Sequence, residues 1–380
     1  MASASRNDPP VTATPISNNA HIALLGRQDL PTDGVRDYCT QLSAAFARRG
    51  ERLEITEVCW ENQGWLEAIR QLWRQSRWWR GRWILFQYTA LMWSRRGFPV
   101  GALAVLWILK LRGTKICVVF HDIRYDRAKG WKQRVRVAFQ YRTMRLALRW
   151  AARVVLTVPA SQVPWLPKNS AAKATFIPVG ANLPEAEWPA TSRNIWPNGV
   201  ATIAVFGITE GEQGQREAAE ISFLIGKVIE KLPNVRVVAM GRGSTEAEDA
   251  LRRVLEGSEV QISVCGLLAA EKVRENLVQA DVLLCVRGHI SSRRGSAIAG
   301  IACGLPVVGY RGEETAFPIT EAGVLLVESG DRDGMAEALC RVLGDDKLRE
   351  GLRQRSVAAQ RKFFSWDAIA AQFLHVLTDR

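Results

Sequence analysis

Asp281–Tyr310, DVLLCVRGHISSRRGSAIAGIACGLPVVGY, decides how this chain folds. An apolar run, Val282–Val286, leads into a loop holding Arg293, Arg294 and Gly295, then into small residues from Ser296 to Cys303, and then into a second apolar run, Pro306–Gly309. Uninterrupted apolar runs of this length are the mark of strands buried on both faces of a parallel sheet, and the small-residue segment between them is the crossover helix. Arg293, Arg294, Gly295 and Ser296 then stand where the helix begins, which sets guanidinium forks beside unpaired backbone N–H groups. Such a place suits a diphosphate. An exposed arginine pair at a surface turn would be written with the same residues.

The same unit recurs on both sides of this stretch. In the first half, strands are expected at His21–Leu25, Leu53–Val58, Trp83–Tyr88, Lys115–Phe120, Val154–Thr157 and Thr175–Ile177, with helices starting near Gly34, Trp65, Val100 and Lys132. In the second half they are expected at Ala201–Phe206, Val235–Met240, Val260–Cys265, Val282–Val286 and Pro306–Gly309, with helices near Ala218, Glu246, Ala270 and Ser296. Helices Arg332–Leu343 and Lys347–Phe363 follow. A segment rich in Pro, Asn, Gly and Trp separates the halves, PEAEWPATSRNIWPNG from Pro184 to Gly199. The expected division is a disordered tail over 1–19, a Rossmann-like domain over 20–184, a linker over 185–199, a second Rossmann-like domain over 200–364, and a helix over 365–380 packing back on the first domain. The fold class is α/β, with two doubly wound domains facing across a cleft. Ligands bind such sheets outside the carboxyl ends of their strands.

Charge is divided along the chain. Residues 1–184 hold 28 Lys and Arg against 11 Asp and Glu, whereas residues 185–380 hold 23 against 27. Eleven of the 14 tryptophans precede residue 185. Interleaved cations and Trp suit an anionic membrane surface. A solvated basic face, or a nucleic-acid surface, would share this composition, but no nucleic-acid module accompanies the charge. The run Val100–Leu109 is too short to span a bilayer and is expected to be a buried helix. Seven scattered cysteines without CxxC spacing indicate neither a disulfide framework nor a zinc site, and the polar amino terminus lacks the apolar core of a secretory signal. A cytoplasmic protein, peripheral at the inner face of a membrane, is expected.

Candidate site residues lie in the loops that follow strands. GRQDLPTDG, Gly26–Gly34, precedes a helix whose amino end attracts anions, so Gly26, Asp33, Gly34 and Asp37 are candidates for phosphate or acceptor. A tight strand-to-helix turn would use the same residues. His121 and Asp122 follow the fourth strand and are the candidate catalytic pair, with a hydrogen-bonded structural histidine as the alternative. Gly207, which closes the first strand of the second half, is a candidate for holding the donor. Glu313 and Glu314, after the last expected strand, have the chemistry to hydrogen-bond a sugar or ribose, or to be surface charges.

Several landmarks occur in the order seen in one enzyme family: GRQDLPTDGVRDY, FQYTALMWSRRGFP, FHD, TFIPVGANLP, VFGITEGEQG, VCGLLAAEKVRENLVQADVLLC and ACGLPVVGY. Over nearly the whole chain after Ser17 it resembles the retaining GT-B glycosyltransferases of family 4. The resemblance implies a carboxy-terminal domain that binds a nucleotide diphosphate sugar and an amino-terminal domain that binds a saccharide or lipid-linked acceptor. It implies Arg294, Gly295 and Ser296 at the diphosphate, His121 near the donor sugar and Gly34 close to the phosphates. Two departures matter. The glutamate pair that often precedes the CGLPVV turn is replaced by Ser291 and Ala299, and the basic residue after the FG turn is replaced by Gln213. No DxD-type acidic cluster follows a strand, so neither a metal nor another cofactor is expected. A sugar-nucleotide 2-epimerase and a non-catalytic membrane-associated protein are the rival readings. The first needs cleft carboxylates as acid and base, and none can be placed.

Overall fold

The structure is a computed structural model that describes residues 20–27, 33–123, 130–184, 199–254 and 260–378. The expected tail, residues 28–32 of the first loop, all of the expected linker but Gly199, and the last two residues lie outside this range.

The first domain is a six-stranded parallel sheet of β1 (His21–Leu25), β2 (Leu53–Glu57), β3 (Trp83–Tyr88), β4 (Lys115–Phe120), β5 (Arg153–Leu156) and β6 (Ala174–Phe176), in the order β2-β1-β3-β4-β5-β6. Its central strands are apolar but for Gln87 in β3 and Lys115 at the start of β4, because helices cover both faces. Helix α1 (Gly34–Arg48) crosses on one face, and α2 (Trp60–Gln75), α3 (Val100–Leu111) and α4 (Trp131–Trp150) pack beside one another on the other. The second domain repeats the plan with β7 (Ala201–Phe206), β8 (Val235–Met240), β9 (Gln261–Val264), β10 (Val282–His289), β11 (Val307–Tyr310) and β12 (Val324–Val327), in the order β12-β11-β10-β7-β8-β9. Its helices are α5 (Gly211–Ile229), α6 (Glu248–Val254), α7 (Ala270–Gln279), α8 (Gly295–Ala302), α9 (Arg332–Gly344) and α10 (Asp346–Ala359). Both sheets have the strand arrangement of two Rossmann-like domains of the GT-B type.

Two sequence-based expectations need correction. The edge strand β12 is absent from the expected set. The helix at Val100 is buried on one side only: Ala102, Val105, Leu106 and Leu109 enter the core, while Val100, Trp107 and Leu111 face solvent.

The domains are joined by specific contacts. A π-helical turn, Gln360–Phe364, redirects the chain from α10 into α11 (Trp366–Thr378), which packs on α1. Trp366 is buried in the first domain's core, and its indole N–H donates to Ala181 O at 2.7 Å. Gly180 admits that ring, since a Cβ there would lie 2.7 Å from it. Nearer the strand ends, buried Ser292 donates its hydroxyl to Thr157 O at 2.7 Å and accepts the Val179 N–H at 2.9 Å through its carbonyl. The loop between β10 and α8 is thereby fastened to the opposite domain.

Candidate functional site

The carboxyl end of the second sheet gathers cations. Arg294 is the N-cap residue of α8, and among the described residues no side chain caps that helix, so its first amides remain available to an anion. Gly207, at the end of β7, has φ +93° and lies opposite Ser296: a Cβ at Gly207 would be 3.6 Å from the Ser296 Cβ. Arg287, near the end of β10, donates to Gly207 O at 3.4 Å. Arg294 reaches back over the same strand, its Nε donating to His289 O at 3.4 Å. Burial lowers the Arg294 pKa from its ordinary value, and the charges of Arg287 and Arg293 lower it further. Among the described residues the hydrogen bonds of Arg287 and Arg294 at this helix end go to carbonyls and not to carboxylates, an arrangement that an anion stabilises.

Arg293 is engaged differently. It makes a bidentate pair with Glu314, Nε to Oε2 at 2.7 Å and Nη2 to Oε1 at 3.0 Å. Glu314 therefore spends both carboxylate oxygens on protein, and Glu313 is exposed beside it. Of the residues expected to hold donor, Gly207, Arg294, Gly295 and Ser296 come together, while Arg293 and Glu314 form a clamp at their edge. Arg287 belongs to the cluster and was not anticipated, because β10 was expected to end at Val286 and runs on to His289.

The facing wall comes from the first domain. His121 leaves β4 with its N–H donated to Tyr88 O at 3.1 Å and its ring edge-on to Tyr38 at 5.1 Å. Its Nε2 lies 2.8 Å from Oε1 of the buried Gln87, whose amide nitrogen donates to Leu85 O at 3.1 Å. That second bond turns the Gln87 oxygen toward the imidazole, so Nε2 carries the proton and Nδ1 the lone pair. Burial pushes the His121 pKa down to about 4, and the ring is neutral at physiological pH. Burial raises the Asp122 pKa, opposed by the Ala90 N–H that its Oδ2 accepts at 3.3 Å and by the charge of Arg293. Asp122 and Arg293 thus sense one another between domains.

The first loop is arranged otherwise than expected. Gly26 is a close-packing position, where a Cβ would lie 2.4 Å from Met92 O. Asp33 caps α1, its Oδ1 accepting the N–H groups of Val35 at 3.0 Å and Arg36 at 3.1 Å. The amino end that was to receive a phosphate already holds a carboxylate. Gly34 O accepts from the Asn182 amide at 2.9 Å, and Asp37 is exposed with its N–H donated to Asp33 O. Exposed Gln213 donates its amide to Glu217 at 3.2 Å, and buried Glu217 accepts the Thr209 N–H and hydroxyl. The positions that replace the glutamate pair, Ser291 and Ala299, are both buried. Among the described residues no three His, Cys, Asp or Glu side chains converge as a metal site, and no helix is long and apolar enough to cross a membrane. A cavity of about 200 Å³ lies away from these strand ends, behind the domain crossing, lined by Ala181, Arg274, Cys303, Gln360 and Trp366 among others.

Residues 213–345 match the family model of Glycosyl transferases group 1. A Corynebacterium glutamicum protein named GDP-mannose-dependent monoacylated alpha-(1-6)-phosphatidylinositol monomannoside mannosyltransferase is 25% identical over 157 residues, and the match spans 40% of this chain and 41% of that relative. Among solved structures, a glycosyltransferase from Rickettsia africae superposes with a TM-score of 0.67 at 13% identity, covering 95% of this chain and 100% of the other. An Anabaena protein solved in complex with UDP and glucose gives 0.62 at 15%, covering 94% and 99%.

Proposed function

We propose that this GT-B chain, whose carboxy-terminal domain matches the glycosyl transferases group 1, moves a sugar from a nucleotide diphosphate donor to a hydroxyl of a saccharide or lipid-linked saccharide. The observation that carries this reading is the set of Arg287, Arg294, Gly207 and Ser296 around the uncapped amino end of α8. Departure of a nucleoside diphosphate concentrates charge on the bridging phosphate, and cations with oriented amides lower that barrier without reorganising. Arg294 and the α8 amides are assigned to the diphosphate, with Arg287 beside them. Neutral His121, its Nε2–H held by Gln87, keeps a lone pair at Nδ1 that suits accepting from a hydroxyl of a donor sugar. Transfer is proposed to retain anomeric configuration and to need no metal ion. The name of the Corynebacterium relative supports a glycolipid acceptor, and the basic, Trp-rich half is assigned to an anionic membrane surface on the cytoplasmic side.

Ser291 and Ala299 favour a second reading, donor binding without turnover, since neither position carries a carboxylate. Calorimetry of the full chain against UDP, GDP, ADP and their sugars, with and without EDTA, tests the site. Selective binding that EDTA leaves unchanged and Arg294→Ala weakens is expected. Absence of binding by every nucleotide would overturn the assignment, and binding without sugar transfer to any glycan or glycolipid would select the second reading.

A further inference from the structure

Apart from Lys110 in its last turn, helix α3 is apolar on every side, yet the domain covers only one of them. Val100, Ala104, Trp107 and Leu111 recur at helical spacing along the uncovered side, with 58% of Val100, 50% of Trp107 and 58% of Leu111 exposed. A helix that is hydrophobic all round belongs in an apolar environment all round. The packing that presents this stripe is specific. Gly101 lets the Trp65 ring of α2 pack against α3, because a Cβ there would fall 1.9 Å from it, and Trp107 leans on Trp150 of α4 at 5.8 Å.

Charge says what covers the stripe. No Asp or Glu occurs from residue 68 to residue 121, and α4 carries six Lys and Arg with no acid. Trp73 and Trp131 stand on either side, 45% and 72% exposed, and the Arg112 guanidinium sits 3.6 Å over the Trp73 ring. A second copy of the same face would bring like charges together, and a nucleic acid would leave the apolar stripe in water. A bilayer with anionic headgroups satisfies both features, since an interfacial helix buries its apolar side at the acyl boundary while flanking cations meet phosphates.

We infer that the exposed stripe of α3, between the cationic and Trp-bearing flanks of α2 and α4, is the surface by which this protein docks on an anionic lipid bilayer. The inference rests on the membrane reading above and not on the transfer chemistry. It also places the acceptor. Val100 begins α3 after β3, on the side of the first sheet where the strands' carboxyl ends lie and where His121 and Asp122 follow β4, and the stripe runs from there for about 18 Å. A lipid-linked saccharide held in that bilayer would meet the cleft without leaving the membrane.

Sedimentation of the full chain with phosphatidylcholine vesicles, with and without phosphatidylglycerol, tests the inference. Binding is expected only with phosphatidylglycerol, weakened by salt, and reduced about tenfold in Trp107→Ser combined with Leu111→Ser. Brominated acyl chains should quench tryptophan fluorescence less in that variant. Leu267→Ser, which alters an exposed leucine of the other domain, should bind as the wild type does. Unchanged partition of the double variant overturns the stripe as the docking surface. So does binding to duplex DNA in place of vesicles, or a dimer that the double variant dissociates. Nucleotide diphosphate affinity, measured on the same variant, is expected to stay unchanged, which separates failure of this surface from failure of the donor site.

Discussion

Arg293 and Glu314 form a bidentate pair, 2.7 and 3.0 Å, that closes one side of the α8 amino end. The pair fixes which of the two neighbouring arginines is available. Arg293 already has a carboxylate fork, while Arg294 has a long bond to a carbonyl and two like charges nearby. Truncating Arg294 to Ala should weaken nucleotide diphosphate binding by about 1.5–3 kcal/mol, the range for hydrogen bonds to charged groups. Arg293→Ala should cost less affinity and show instead in stability. A calorimetric comparison of the two variants decides it, and equal losses of affinity would show that the clamp opens to bind.

Glu314→Gln should lower stability by about 1 kcal/mol, because the pair is partly buried and charge-assisted. Combined with Arg293→Ala, the two losses should be markedly non-additive in urea unfolding, as expected for residues in contact. Additive losses would mean that the pair contributes little in solution.

Gly207→Ala tests the backbone rather than the charges. A Cβ at this position meets Ser296 only at ordinary contact distance, so the cost comes from φ +93° and not from a clash. A stability loss on the order of 1–2 kcal/mol is expected, with weakened nucleotide binding as the loop shifts away from α8. Thermal melting with and without ligand measures both.

How far the sequence carried the fold depends on which physical signal each element leaves. His21–Leu25, Trp83–Tyr88, Lys115–Phe120, Ala201–Phe206 and Val235–Met240 have the bounds expected, because long β-branched or apolar runs bounded by polar residues leave few alternatives. Val324–Val327 was missed, being four apolar residues at a sheet edge with no alternation to mark them. The exposed side of α3 was illegible for a related reason, since a helix apolar from Val100 to Leu109 has no period from which to tell covered from uncovered residues. In the site, the RRGS run pointed correctly to the start of α8. The engagement of Arg293 by a carboxylate 21 residues away, and the capping of α1 by Asp33, are tertiary and local pairings that residue type alone leaves open.

Ser292 links the donor loop to the first domain through its hydroxyl on Thr157 O. Ser292→Ala leaves a buried carbonyl without that donor, at a cost of about 1–3 kcal/mol. Because the loop also carries Arg293 toward Asp122, sugar transfer should fall more than nucleotide affinity does. Matched kinetic and calorimetric measurements on the folded variant test this, and a loss confined to affinity would place the loop's role within one domain.

His121 makes stability depend on pH in a direction that can be worked out. Burial lowers its folded pKa to about 4 from an unfolded value of 6.5, so between these values the unfolded chain binds more protons than the folded one. Stability contributed at this residue is therefore full above pH 6.5 and falls as pH drops toward 4. Replacing His121 by Gln removes the titration while keeping a side chain able to hydrogen-bond Gln87. The stability of the wild type relative to His121→Gln should fall on acidification across this window, by on the order of 2 kcal/mol for a half-buried ring. The neighbouring Asp122, whose pKa is raised, acts in the opposite sense in both proteins and cancels in the comparison. Urea unfolding of the two proteins at a series of pH values measures the difference, and a flat difference from pH 4 to 7 would mean that the imidazole is solvated and protonates freely, removing the basis for its role as a neutral partner of the donor sugar.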